Sequence, residues 1–432
     1  MKRIVCVLMG LAVFGGLMFA GGGKASPEAQ TSSTTIRWAY WGSENRAKIS
    51  QEAIDIYQQQ NPGVVVNPEI SGGAGDHFAK VDTQLAGGNG PDIIQMGGNI
   101  LDYVNKGVLA DLSPYAGDGK AIVTSTIDAG AVANGTINGK LYGVSTGVSM
   151  AALVYNKALV QRTGLPLPKV SMTYAEFRDY LVQLKAKLPQ GVWPMQDIGS
   201  LAANSTPFGY WSRYNGTPLV DDSVTKTFLT AADAQKYLEL FKDYRDNGLV
   251  PPAADAAAYP ETSPENSAII AGKVAITFVW TSQFAGYQQL TKDELDLIEL
   301  PGAAEKNALW QPPSQFYTVN KDSKNIEAAA RFINFLVNSP DAARVLLNDR
   351  GASASSTART GAVSVLTAAD QKVLNYIASA GVHSSAETPH VPNDMEFTTS
   401  LYLIYQSVAF GQKTPAHGGQ EILDLLNRMI KK

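Results

Sequence analysis

The sequence predicts an α/β fold built as two lobes. Short apolar runs alternate with amphipathic helical runs over nearly the whole chain, the pattern of packed β-α units and not of a helix bundle or a sandwich. Residues 36–99 contain consecutive β-α units with ligand-type residues at their strand ends. A length of 432 residues, 45% of them hydrophobic, exceeds one ordinary domain and fills more than one core. Two lobes of this kind meet at a cleft, a favoured position for a ligand.

The first predicted strand begins at Ile36 and ends in Tyr40-Trp41-Gly42-Ser43. Alternation puts Ile36, Trp38 and Tyr40 on one face, and Trp41 follows on the other. A helix over 44–60 has Ile49, Ala53, Ile56 and Tyr57 at helical spacing and is stopped by Pro62. Val64-Val65-Val66 is a strand, 75–86 a helix closed by Gly87-Gly88, and 91–96 a strand opened by Pro91-Asp92. In an open parallel sheet ligands bind beyond strand C-termini, which here are Tyr40–Ser43 and Met96–Asn99.

Tyr103 to Leu112 reads as a short helix and turn. Asn138-Gly139 between two extended runs signals a type I′ hairpin. A strand over 151–155 leads into a helix at 156–163, with further helices at 173–188 and 230–247, the latter closed by Gly248 and Pro251-Pro252. The aromatic segment from Pro207 to Tyr214 reads as a loop. Val274 to Trp280 is a buried strand and 315–320 another. Helices at 325–338, 340–349, 367–379, 397–409 and 418–431 finish the chain.

Lys2-Arg3, the apolar run from Ile4 to Ala20 and the small residues Gly21-Gly22-Gly23 form a secretory signal, with cleavage expected after Ala20. Residues 21–34 are expected to be a disordered leader. The one cysteine, Cys6, does not follow the apolar run where a lipoprotein signal places its own. A mature chain without disulfides or a lipid anchor is therefore expected, and an unanchored exported protein points to a periplasm. The net charge of −4 and the lack of a basic run argue against a nucleic-acid partner.

Catalytic motifs do not hold up. Gly143-Val144-Ser145-Thr146-Gly147 fits the G-x-S-x-G pattern, but a hairpin precedes it and an extended segment follows, where a nucleophile elbow needs strand then helix. His77, His383, His390 and His417 form no zinc-binding pattern; His77 sits beside a capping Asp76, and His390 lies in a loop expected to face solvent. Gly87–Gly90 lacks the following Lys-Ser/Thr of a phosphate loop. Nothing nominates a pair of carboxylates for glycoside hydrolysis.

Several blocks, taken in order, resemble the family 1 extracellular solute-binding proteins, the carbohydrate-binding subunits of ATP-driven importers. They are Ile36–Gly42, Gln84–Gly88 with Gly90–Ile94, Leu112–Tyr115, Asn138–Val144, Tyr155-Asn156-Lys157, Gly272–Trp280, and Ser323–Ala329 with Phe332–Leu336. Ser145 stands where relatives carry proline. The resemblance implies a periplasmic binding protein type II-like fold, α/β, with a hinge crossed three times and the ligand cleft between the lobes. The expected division is 35–149 plus 301–336 for the N-terminal lobe and 150–300 plus 337–432 for the C-terminal lobe. It further implies a monomer that uses no cofactor or metal, closes over a carbohydrate and docks onto ABC-transporter permease subunits without altering the sugar. A binder of acidic, uronide oligosaccharides is the alternative; an oligopeptide or polyamine binder and an exported carbohydrate-active hydrolase compete less well.

A sugar has an apolar C–H face, which aromatic rings cover, and a hydroxyl rim, which planar polar side chains bond. Trp41, Trp280, Trp211 and Trp193 are the aromatic candidates, while Trp38 inside its strand favours the core and Trp310 could serve either use. Ser43, Glu44, Asn99, Ser149, Gln283 and Gln311 are the polar candidates. The resemblance to uronide-binding relatives implies that Arg46 could meet a uronate carboxylate, though it could equally lie solvated on its helix, and Gly97-Gly98, where some relatives carry an acidic or aromatic residue, leaves room for a larger ring.

Overall fold

The structure is a computed structural model describing residues 33–200, 207–221, 223–259, 264–385 and 388–431. The expected signal segment, and the leader up to residue 32, lie outside the described residues.

Eleven strands are present among the described residues: β1 Thr34–Trp41, β2 Val64–Ser71, β3 Ile93–Met96, β4 Thr136–Ile137, β5 Lys140–Leu141, β6 Gly143–Ser145, β7 Ala151–Asn156, β8 Trp193–Met195, β9 Val274–Trp280, β10 Leu295–Ile298 and β11 Phe316–Val319. One sheet runs β2-β1-β3-β11-β6 and another β10-β7-β9-β8, with β4 and β5 forming the hairpin at Asn138-Gly139. In the first sheet β1 is parallel to β2 and β3, and β11 is antiparallel to β3 and β6. In the second, β7 is antiparallel to β10 and β9, and β8 is parallel to β9.

Each sheet has its own core. Trp38, Tyr57, Phe332 and Leu336 pack on one face of the first sheet, and Ala39, Phe78, Met96 and Phe316 form a second cluster. Leu153, Phe177, Tyr237, Phe278 and Leu425 belong to the other lobe's core. The molecule is therefore a two-lobed α/β protein.

Local signals explain most elements. Ser43 caps the helix Glu44–Gln60 by accepting from Arg46 N. Thr173 with Glu176, and Thr230 with Asp233, form capping boxes. The inward face of Glu44–Gln60 differs from expectation: Arg46, Ser50, Ala53, Ile54 and Tyr57 are buried while Ile49 and Ile56 are only partly so. The face turns because Ser50 Oγ bonds Arg46 O and receives Arg350 Nη2, so polar residues fill it.

The segment Pro207–Tyr214 is a helix, not a loop; Phe208 and Tyr210 are buried, and its Gly209 obscured the helical pattern. The helix Ile100–Asn105 starts three residues before the expected one, directly after the Gly97-Gly98 turn. β8 and β10 gave no signal, being short and interrupted by Pro194 and Asp296.

Three extended segments meet where the chain passes between the lobes. Thr146 N donates to Gln315 O (3.0 Å), Ser314 N to Gly147 O (2.8 Å), and Val148 and Ala352 exchange backbone hydrogen bonds of 2.9 Å each. The core assignments correct two expected boundaries. Ala303, Leu309 and Trp310 still pack in the second core, so the chain returns to the first lobe only near Gln311–Gln315. Ala342, Leu346 and Ala354 pack in the first core, because the helices Pro340–Leu346 and Ser356–Ala362 lie against the first lobe's helices. The final passage falls between Ala362 and Val373.

Gly351 is confined at this junction. Its φ is +97°, and a Cβ there would stand 2.6 Å from Ser314 Cβ and 2.7 Å from Val148 O. Gly63 has almost the same φ, +96°, with nothing within 4 Å. Gly63→Ala carries only the backbone cost of about 1 kcal/mol, whereas Gly351→Ala is expected to lose roughly 1–3 kcal/mol more. Urea denaturation of the two variants measures that difference, and equal losses would contradict a close-packed junction.

Candidate functional site

The site is assembled from strand ends. In β1, Trp38 and Tyr40 are buried, Trp38 wholly, and Trp41 emerges half-buried at the terminus. Its ring lies 5.0 Å from His77 and 5.5 Å from Phe78, both on the helix Ala74–Ala86. Arg46 Nη1 donates to the Trp41 carbonyl at 3.0 Å. His77 is buried, and its Nε2 donates to Gln95 O at 2.9 Å. Burial lowers the imidazole pKa to about 4, which leaves it neutral near pH 7. His77 is thus the buried backing of Trp41. Asp76 lies within the first turn, and Gly73 holds the cap position.

Beyond β3, Asn99 is buried and its Oδ1 accepts from Gly97 N at 3.3 Å. Gly97 faces Trp41: a Cβ there would be 4.0 Å from Trp41 Cη2. Gly98 faces the His390 ring, which is packed against the first lobe instead of standing in a solvent loop.

On the second lobe Trp280 ends β9, half-buried, in register with Ala151 at the start of β7. Its ring meets Trp310 edge-on, 6.1 Å between centroids at 83°. The Arg213 guanidinium lies 5.0 Å from the Trp310 ring centre and donates to Ala308 O, Ser385 Oγ and Thr388 Oγ1. Thr388 leads within two residues to His390. One set of side chains therefore runs from Trp280 through Trp310 and Arg213 to Thr388, and at the end of the other sheet Trp41 stands by Gly97 and Asn99.

Of the expected residues, Trp280 falls in the first set and Trp41 and Asn99 in the second. Others have different duties. Ser43 caps its helix. Glu44 is exposed in the first helical turn. Arg46 is buried with its guanidinium on Asp349 Oδ2 (2.6 Å), Asp349 O and Trp41 O, which leaves it no role as a receptor for a sugar carboxylate. Ser149 is buried, with its hydroxyl 3.1 Å from Thr281 Oγ1 and accepting from Ser282 N. Gln283 Oε1 accepts from Trp280 N at 3.0 Å, so it fixes the tryptophan's backbone.

Gln311 is exposed beside Gly381. Trp211 packs edge-on against Tyr174 and near Tyr237, with its Nε1 buried. Trp193 pairs with Val274, at the opposite end of β9 from Trp280 and about 20 Å away along the strand. Trp38 and Trp310 are buried.

Sequence reasoning passed over Arg213 and Thr388 and read His390 as facing solvent. Arg213 was visible in the aromatic segment, but only the fold brings residues 385–390 to it.

The arrangement can stack and hydrogen-bond a ligand. Ser145 is buried in β6, its Oγ donating to Gly147 O at 3.1 Å. Among the described residues no group of three His, Cys, Asp or Glu side chains is placed to hold a metal ion.

A family model described as bacterial extracellular solute-binding protein matches residues 52–372. Among solved structures, an ABC substrate-binding protein of Listeria monocytogenes in complex with cycloalternan is 22% identical, with a TM-score of 0.79 over 92% of this chain and 99% of that one. A periplasmic oligogalacturonide binding protein of Yersinia enterocolitica, in complex with saturated digalacturonic acid, is 24% identical, with a TM-score of 0.78 over the same shares. These two likenesses concern the fold. A protein of Brucella abortus (strain 2308) named as a binding protein is 23% identical over 48% of this chain, and the match spans 49% of its own length. The chain thus covers about half the length of the curated relatives matched first.

The depressed His77 pKa makes a pH prediction. The unfolded imidazole binds a proton below about 6.5 and the folded one only below about 4, so stability is full above 6.5 and falls as pH drops toward 4. The loss is at most roughly 3 kcal/mol. Denaturant midpoints from pH 7 to 4 should show a flatter slope in His77→Gln than in wild type. An unchanged slope would mean that His77 is not held neutral.

Proposed function

The chain belongs to the bacterial extracellular solute-binding protein family, and we propose that it captures a mono- or oligosaccharide between its lobes and delivers it to the permease subunits of an ABC importer. It binds its ligand and releases it chemically intact, as a monomer in the periplasm after removal of its signal segment. The observation that carries this reading is the pair of half-buried indoles at strand ends, Trp41 on one sheet and Trp280 on the other, each backed by other rings. Aromatic backing holds each indole in a fixed orientation, so little side-chain entropy is lost when a flat apolar face docks on it.

The chemistry matches a sugar at both surfaces. An indole covers the C–H face, removing apolar area from water at roughly 25 cal/mol per Å². Asn99 stands by Gly97, which faces Trp41, with a planar amide suited to hydroxyls. Binding proteins for cycloalternan and for digalacturonic acid share this fold, which supports a carbohydrate as the ligand class. Arg46 lends no support to an acidic sugar, because Asp349 already holds its guanidinium.

Trp41→Ala and Trp280→Ala should each weaken saccharide affinity about 10- to 100-fold, the effect of losing about 1.5–3 kcal/mol of ring burial. Melting temperatures should change little, since neither ring is fully buried. Calorimetric titration against a panel of neutral and acidic saccharides, peptides and polyamines measures this. Wild-type affinity in both variants would remove this placement of the site. Binding of peptides or polyamines instead of sugars, or cleavage of the sugar, would remove the function.

A further inference from the structure

We infer that residues 388–394 form a latch, carried by the second lobe, which Asp102 of the first lobe holds across the cleft. What the latch retains rests on the proposed sugar capture; its geometry does not. Val391 packs in the second core and anchors the segment to that lobe. One residue before it, the His390 ring lies on Gly98, so close that a Cβ on Gly98 would stand 2.5 Å from Cε1 and 2.9 Å from Nδ1. Shortly after it, Asn393 adopts the left-handed conformation at φ 55°. The backbone N–H groups of Asn393 and Asp394 donate to the two oxygens of the Asp102 carboxylate at 3.4 and 3.3 Å.

Those amides begin the 16-residue helix Asp394–Ala409, whose own cap residue supplies no side-chain hydrogen bond. The first amides of a helix lack intrahelical partners and favour a negative charge. Here the carboxylate that answers them comes from the other lobe. Asp102 is well placed for this, because the neighbouring Tyr103 is buried in the first lobe and fixes the short helix Ile100–Asn105.

A cap made between lobes exists only when they are together, so its free energy counts toward closure. The same contact brings His390 over Gly98, next to the Gly97 wall that faces Trp41. Asp102 is thus a positioning residue: it bonds the latch backbone and sets the closed arrangement without touching the sugar.

Two variants test the latch. Asp102→Ala removes the carboxylate and leaves a good helix former in its place. Gly98 has an ordinary backbone conformation, so Gly98→Ala meets an obstacle only at His390, in the closed arrangement. Both should increase the radius of gyration of the ligand-free protein in small-angle X-ray scattering. Both should also raise the saccharide dissociation rate about threefold to tenfold, with association rate and melting temperature near wild type. Scattering and dissociation rates equal to wild type in both variants would overturn the latch. So would a melting temperature lowered by Asp102→Ala with scattering unchanged, which would make the contact an ordinary helix cap. If wild type binds no saccharide, the proposed function fails, and the scattering comparison still decides the latch.

Discussion

The site depends on the junction of three backbone segments between the lobes. Residues 146–149, 312–315 and 350–352 are held to one another by main-chain hydrogen bonds, and this sets how one sheet faces the other. Side chains extend that control into the first lobe. Thr146 Oγ1 donates to Arg350 O at 2.6 Å, while the Arg350 guanidinium bonds Gln95 Oε1 and Ser50 Oγ and lies 5.3 Å from the ring centres of both Trp38 and Tyr40. The adjacent Asp349 holds Arg46, and Arg46 holds the Trp41 carbonyl. A short path of bonded groups thus connects the junction to Trp41 at the end of β1. Burying such charges costs desolvation, offset here because each guanidinium is bonded on several sides. Removing one member would leave the others unpaired, so the network specifies an arrangement more than it adds stability.

The second lobe solves the matching problem with rings. Trp280 is supported by Trp310, which lies beneath Arg213. Deeper in that lobe, Asp197 is buried against Arg245 and the Tyr405 hydroxyl, tying the Ala231–Asp246 and Asp394–Ala409 helices together. Burial raises the Asp197 carboxyl pKa, and the opposing pull of Arg245 limits the rise. The helix that carries the latch is therefore anchored to its own lobe by a buried ionic contact.

Much of this was legible in the sequence where local chemistry dictates structure. Pro62, Gly87-Gly88 and Asn138-Gly139 mark boundaries that the structure keeps, and the positions of Trp41 and Trp280 follow from strand alternation and strand ends. What stayed hidden depends on distant pairings. Arg46 and Ser149 look like free polar groups until Asp349 and Thr281 are brought to them across 303 and 132 residues. Trp193 looked like a ligand residue because nothing local says which end of β9 its strand lies beside. His390 looked solvated because its packing surface, Gly98, is bare and lies in the other lobe. The last lobe boundary was misplaced for a related reason: small alanine-rich helices at 340–362 carry no pattern that says which core they join.

The most direct measurement of the central claim is the set of indole N–H resonances of the six tryptophans as a saccharide is titrated in. The account predicts that the signals of Trp41 and Trp280 move together and show contacts to sugar C–H protons, while Trp38 and Trp193 stay in place and the sugar is recovered unchanged. Sugar contacts at Trp193, or at only one lobe's indole, would contradict a ligand held between two facing strand ends.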